Sequence, residues 1–248
     1  MRWTSGRSRA DNVPVNGQDP GDLRKRVIGS VQGAAMLHIA YAGVTCGLLE
    51  ALGRLGSATP TALAAEAKLD EGYVARWCDA AYAFELLDQR DDGVFALTQL
   101  GDMFRPTAKG TMMSAAIGTV LGAHMAERAA GLMASGERPG ESVLGERETI
   151  LPWFGPMLEA QFGPLFDQQI AGELSIYGEV NDRGGTVVDL GCGNGWYLRR
   201  VAARNPNLRG IGLDGFEENI RDATARAQAE ALGDRLEFRS GDLHHFTV

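Results

Sequence analysis

The run Thr186-Val187-Val188-Asp189-Leu190 passes directly into Gly191-Cys192-Gly193-Asn194-Gly195, and apolar side chains at helical spacing follow at Trp196, Leu198, Val201 and Ala202. A chain turning sharply from strand to helix needs positive φ, which glycine adopts without steric cost, and a loop poor in Cβ atoms lets a ligand lie against the backbone. Two further carboxylates, Asp214 and Asp242, each stand at the end of a short apolar run. Carboxylates accept hydrogen bonds from paired hydroxyls or from an amine. A ligand site is implied.

The elements that must carry these groups switch cleanly between strand and helix periodicity. Thr186–Leu190, Leu208–Asp214 and Leu236–Ser240 read as strands, Trp196–Asn205 and Glu217–Leu232 as helices, the second closed by Gly233. Such a βαβ order predicts a parallel sheet, and open α/β sheets bind ligands at the carboxyl ends of their strands, where the glycine loop, Asp214 and Asp242 all fall. A dinucleotide fingerprint would need glycine at position 196. Trp196 stands there instead, and its bulk obstructs a pyrophosphate on the helix start, so a nicotinamide-dependent oxidoreductase is disfavoured.

The acidic-hydrophobic-G-x-G-x-G pattern from Asp189 to Gly195 resembles the first motif of class I S-adenosylmethionine-dependent methyltransferases, and Asp214 and Asp242 are similar to that family's second and third motifs. The resemblance implies an α/β Rossmann-like domain with S-adenosyl-L-methionine as cofactor. It assigns Gly191, Gly193 and Gly195 to making room for the methionine and ribose portions. Asp189 would help orient the methionine amino group through the loop or a water. Asp214 would accept both ribose hydroxyls, Asp242 the adenine amine, and the Leu243 N–H would donate to a ring nitrogen. The implied reaction is methyl transfer to a small-molecule acceptor. The catalytic base and acceptor pocket are expected beyond the third strand: the 63 residues from Thr186 to Val248 hold three strands, whereas the resembling fold continues. The C-terminal half of the sheet is thus expected to be missing, through truncation or completion by a partner, leaving the first strand with an exposed edge.

Ahead of this domain, Thr59-Pro60 caps a short helix, Asp70-Glu71 opens another through Val74, Trp77, Cys78, Ala81, Phe84 and Leu87, and Leu86–Arg90, Asp91-Asp92-Gly93 and Val94–Leu97 read as a hairpin. Helices followed by a hairpin predict a mainly α winged-helix module, similar to the helical front through which small-molecule O-methyltransferases dimerise. Its would-be recognition helix carries Asp70, Glu71, Asp79 and Glu85 against Arg76 alone, so phosphate repulsion argues against DNA. A non-catalytic cofactor-binding or regulatory protein, using this module to bind a partner, is the alternative reading. The boundaries expected are a disordered tail at 1–22, the winged-helix dimerisation module at 23–105, a helical linker region at 106–180 and the cofactor domain at 181–248.

The remaining features set limits. A net charge of −8 offers no global attraction for nucleic acid or anionic lipid. Three scattered cysteines supply neither a disulfide framework nor a metal pair and suit a reducing, cytoplasmic compartment. Val27–Leu49 lacks formal charge but is rich in glycine and alanine, so a helix hidden on most sides, in the core or against a second subunit, is expected rather than a membrane span. The aromatic cluster Trp153, Phe154, Phe162 and Phe166 reads as core, with the wall of a small-molecule pocket as the other possibility. His38 and His124 read as core or interface residues, Cys192 as a small spacer, and the His244-His245 pair as neither base nor metal site.

Overall fold

The computed structural model describes residues 19–90, 93–138, 140, 143, 146, 150–243 and 245. Residues 1–18 of the expected tail, Asp91 and Asp92 of the expected turn, His244 and, within the expected linker region, residues 139, 141–142, 144–145 and 147–149 lie outside these. Helix α1 (Pro20–Thr45) begins inside the stretch expected to be tail: Pro20, with its fixed φ, opens the helix, and Asp22 pairs with Lys25 at 3.1 Å. The helix stops at Cys46, and Gly47, at φ +70°, starts α2 (Leu48–Leu55), so the uncharged Val27–Leu49 stretch is broken in two.

Only the C-terminal half of α1 is held, with Ala40, Gly43 and Val44 buried. Its N-terminal half leaves Val27 and Val31 63% and 64% exposed among the described residues of the single chain, which departs from the expected burial in the core and leaves the other expectation, a second subunit, untested. By length and composition α1 could cross a membrane.

Thr59 caps α3 (Pro60–Ala67) by accepting from the Ala62 N–H, and Asp70 caps α4 (Glu71–Ala83) by accepting from Tyr73. Helix α4 ends earlier than its periodicity suggests. Phe84 is its C-cap, Glu85 turns to φ +60°, and Leu87 becomes the first residue of β1 (Leu87–Arg90), antiparallel to β2 (Val94–Leu97). A short α5 (Gln99–Asp102) and the long α6 (Met113–Leu132) follow. These elements share one core, in which the Trp77 Nε1–H donates to the Ile39 carbonyl at 3.0 Å and thereby ties α4 to α1.

Helix α7 (Leu151–Leu165) continues into a π-helical turn (Phe166–Ile170), then α8 (Ser175–Asp182). Three parallel strands come next, β3 (Thr186–Leu190), β4 (Arg209–Asp214) and β5 (Leu236–Ser240), in spatial order β3-β4-β5, linked by α9 (Trp196–Arg204) and α10 (Glu217–Ala229). Helix α10 closes at Ala229 rather than Leu232. Ala231 takes φ +56°, and the Leu232 N–H reaches back to the Ala227 carbonyl, which buries Leu232. Among the described residues β3 pairs with β4 alone, and Val188 and Leu190 are 36% and 59% exposed. This is the exposed edge expected from the motif order.

Candidate functional site

The loop between β3 and α9 owes its shape to three glycines at positive φ: Gly191 at +78°, Gly193 at +53° and Gly195 at +70°. The N–H groups of Gly191 and Cys192 both donate to the Leu213 carbonyl at 2.8 Å, which pins the loop against the end of β4. The Gly193 N–H then donates to Asp214 Oδ2 at 2.9 Å.

Asp214, buried at the end of β4, is more occupied than its motif position suggests. Its Oδ1 accepts from the Phe216 N–H at 2.9 Å and from Asn219 Nδ2 at 3.0 Å. A carboxylate has about four lone-pair directions, so one, on Oδ2, remains for a ligand. Binding a vicinal diol through both oxygens requires one internal donor to yield. Asn219 escapes sequence reasoning because an isolated asparagine on a helix carries no pattern.

Gly191, Gly193, Asp214, Asp242 and Leu243 come together around one cavity of about 520 Å³. Two candidates stand apart. A Cβ on Gly195 would meet the Phe238 ring at 2.7 Å, so this glycine serves the packing of α9 on β5, and it does not line the cavity. Asp189 lies off the cavity; burial, with the nearby Asp214 charge adding, pushes its carboxyl from 3.8 up to about 6. Burial also raises the Cys192 thiol, and its Sγ fills the space beside Gly212, which accords with a spacer. His245 Nδ1 lies 2.7 Å from Asp242 Oδ2 at the rim. His38 is exposed, which departs from the core placement and leaves the interface one untested, while His124 is buried beside Glu146, 3.4 Å away, at a separate cavity.

Part of the lining is apolar. Leu151, Phe154 and Leu158, one face of α7, line the cavity together with Trp196. The aromatic cluster thus divides: Phe154 is wall, Trp153 packs on the helical core, Phe162 is exposed, and Phe166 is buried edge-on against Tyr177, Trp196 and Tyr197. A second face of α7 is polar, where Glu159 accepts from Asn194 Nδ2 at 3.3 Å, from Arg199 at 2.9 Å and from Arg200 at 3.4 Å. Arg199 also pairs with Glu230, and Arg200 with Asp167.

Residues 181–248 match the family model described as a methyltransferase domain. A methyltransferase from Aspergillus campestris is 44% identical over 57 residues, 23% of this chain and 17% of that protein. The structure of mitomycin 7-O-methyltransferase is similar over 90% of this chain and 66% of its own, at 22% identity and a TM-score of 0.62. An O-methyltransferase from neocarzinostatin biosynthesis, in complex with S-adenosylmethionine and 2-hydroxy-5-methyl naphthoic acid, is similar over 84% of this chain and 65% of its own, at 19% identity and a TM-score of 0.56. The chain spans between 17% and 26% of the length of the curated relatives it matches. Residues 181–248 are thus a methyltransferase domain, its three strands those of the class I methyltransferase fold, set behind an N-terminal helical region.

Proposed function

We propose that this protein belongs to an S-adenosylmethionine-dependent methyltransferase acting on a small molecule, and that this chain supplies the cofactor-binding part. One observation carries the reading: a single cavity is lined by the glycine loop, Asp214, Asp242 and Leu243 together with the apolar Leu151, Phe154, Leu158 and Trp196. The residues present fit the cofactor. The open space at Gly193, with no atom within 4 Å of a would-be Cβ, admits a ligand against the backbone, and Asp214 keeps an acceptor direction for a ribose hydroxyl. Asp242 and the Leu243 N–H suit the adenine edge.

The bound sulfonium supplies an activated methyl group. The chain's task is to bind and orient it and to exclude water, and the apolar α7 wall serves the last. We further propose that α2–α4 and the β1–β2 hairpin act as a winged-helix dimerisation module. The exposed apolar half of α1, with Leu23, Val27, Ile28 and Val31, supports a contact with a second copy. The acidic α4 speaks against nucleic acid, and three free cysteines suit a cytoplasmic setting.

Isothermal titration with S-adenosylmethionine and its demethylated product tests the central claim. One-to-one binding of both and no response to NAD is the expected result. Binding of NAD without either sulfur nucleoside would sink it.

A further inference from the structure

Helix α7 presents three different faces. Met157, with Trp153 and Ala160 beside it, packs into the core shared with α1 to α6. Leu151, Phe154 and Leu158 line the cavity. Gly155, Glu159 and Gly163, spaced one turn apart, face α9 and the loop before it. The two glycines leave room: a Cβ on Gly155 would meet Asn194 Cγ at 2.7 Å, and one on Gly163 would meet the Arg200 guanidinium at 2.7 Å. Between them Glu159 accepts from Asn194, the residue between Gly193 and Gly195, whose side chain is fully enclosed. Asn194 is held at both ends of its amide, since Oδ1 accepts from the Trp196 N–H at 3.3 Å while Nδ2 donates to Glu159.

We propose that Glu159 is a positioning residue for the glycine loop, acting through Asn194, so that the helical region sets the geometry of the loop that would take the cofactor. The physical ground is that the loop's glycines hold no shape by themselves. Their backbone needs external anchors, of which Leu213 and Asp214 supply those on the sheet side and Glu159, through Asn194, one on the helical side. Arg199 and Arg200 hold Glu159 in place, and each keeps a second carboxylate, Glu230 or Asp167, so the loop contact can be removed without stripping the arginines of partners. The inference rests on the proposed cofactor reading for its binding consequence, but the anchoring itself does not.

The test combines two readouts on the whole chain: hydrogen exchange of the Gly191–Trp196 amides, and affinity for S-adenosylhomocysteine. Glu159→Leu removes the acceptor and Asn194→Ala the donor. Each should raise loop exchange and weaken binding about three- to tenfold, the range for one lost hydrogen bond. The double variant should lose little beyond Asn194→Ala alone, which already removes both the Glu159 contact and the bond from the Trp196 N–H. Glu159→Gln keeps an acceptor for Asn194 while losing the charge facing the arginines, so it should keep loop protection and affinity although its melting temperature falls. Loop protection unchanged in Asn194→Ala, or loop exchange effects of Glu159→Leu and Asn194→Ala that simply add, overturns the proposal. Asn194→Asp, which keeps Oδ1 for the Trp196 N–H and loses only the Nδ2 donor, should raise loop exchange as Glu159→Leu does, and unchanged protection there overturns it even if Glu159→Leu fails to fold. Wild-type protein that binds no S-adenosylhomocysteine strikes the cofactor reading instead, and the exchange data still decide the anchoring.

Discussion

The backbone N–H of Gly193 donates to Asp214 Oδ2 at 2.9 Å, joining the loop after β3 to the end of β4. Two segments that read in the sequence as separate ligand contacts are therefore one unit. The carboxylate ties the loop to the end of β4 and lines the cavity with one lone-pair direction remaining. Its other oxygen is fixed by Phe216 and Asn219, so its orientation is set before any ligand arrives.

Asp214→Ala should therefore damage binding and folding together. It orphans the Gly193 and Phe216 N–H groups and removes the proposed ribose acceptor. Hydrogen bonds to a charged group contribute about 1.5–3 kcal/mol each, so affinity for S-adenosylhomocysteine should fall by about a hundredfold, and the melting temperature by several degrees. Titration calorimetry alongside a thermal melt checks both. Unaltered affinity in a folded variant would contradict the assignment.

The loop glycines should separate by function. Gly195→Ala must accommodate a Cβ 2.7 Å from the Phe238 ring at φ +70°, and overpacking added to left-handed strain predicts a loss of about 2–4 kcal/mol. Gly193→Ala meets no atom within 4 Å and carries only the strain at φ +53°, about 1–2 kcal/mol. Urea denaturation should rank Gly195→Ala as the more destabilised, and the opposite ranking would return Gly195 to the ligand site.

The parts legible in the sequence are those written in local pattern. The strands β3 and β5 coincide with their apolar runs, Thr59 and Asp70 cap the helices their types announce, and the loop sits where its glycines stand. Contacts between distant segments leave no such mark. Asn194 and Glu159 are 35 residues apart, and the one-turn spacing of Gly155, Glu159 and Gly163, though visible, gains meaning only once α9 lies against it. The role of Gly195 is hidden for the same reason, because its glycine answers to Phe238, far along the chain. The exposed half of α1 shows the converse: an apolar stretch announces burial without saying against what.

Asn219→Leu keeps a side chain of similar size at the cavity wall but removes the Nδ2 donor that braces Asp214 Oδ1 at 3.0 Å. One lost hydrogen bond predicts about three- to tenfold weaker binding of S-adenosylhomocysteine. Asn219→Asp places a second carboxylate against the first, and like-charge repulsion makes it the worse of the two. A titration in which Asn219→Asp binds more tightly than Asn219→Leu would argue that Asp214 is not braced from this side.

Asp189 provides the pH test. Its carboxyl is raised from 3.8 to about 6, chiefly by burial and then by the Asp214 charge, and no side-chain hydrogen bond to it compensates among the described residues. Because the folded value lies above the unfolded one, the folded state holds its proton longer. Stability contributed by the neutral form is complete below pH 4, declines as pH rises towards 6, and is gone above that, at a cost of at most about 3 kcal/mol. Asp189→Asn should therefore raise the melting temperature at pH 7.5 and flatten the decline between pH 4 and 6. Melting temperatures of both proteins across that range measure the difference directly. Parallel curves would mean that Asp189 is solvated or paired in solution. Asp214→Ala should reproduce part of the flattening, since it removes the second cause of the shift while leaving the first in place.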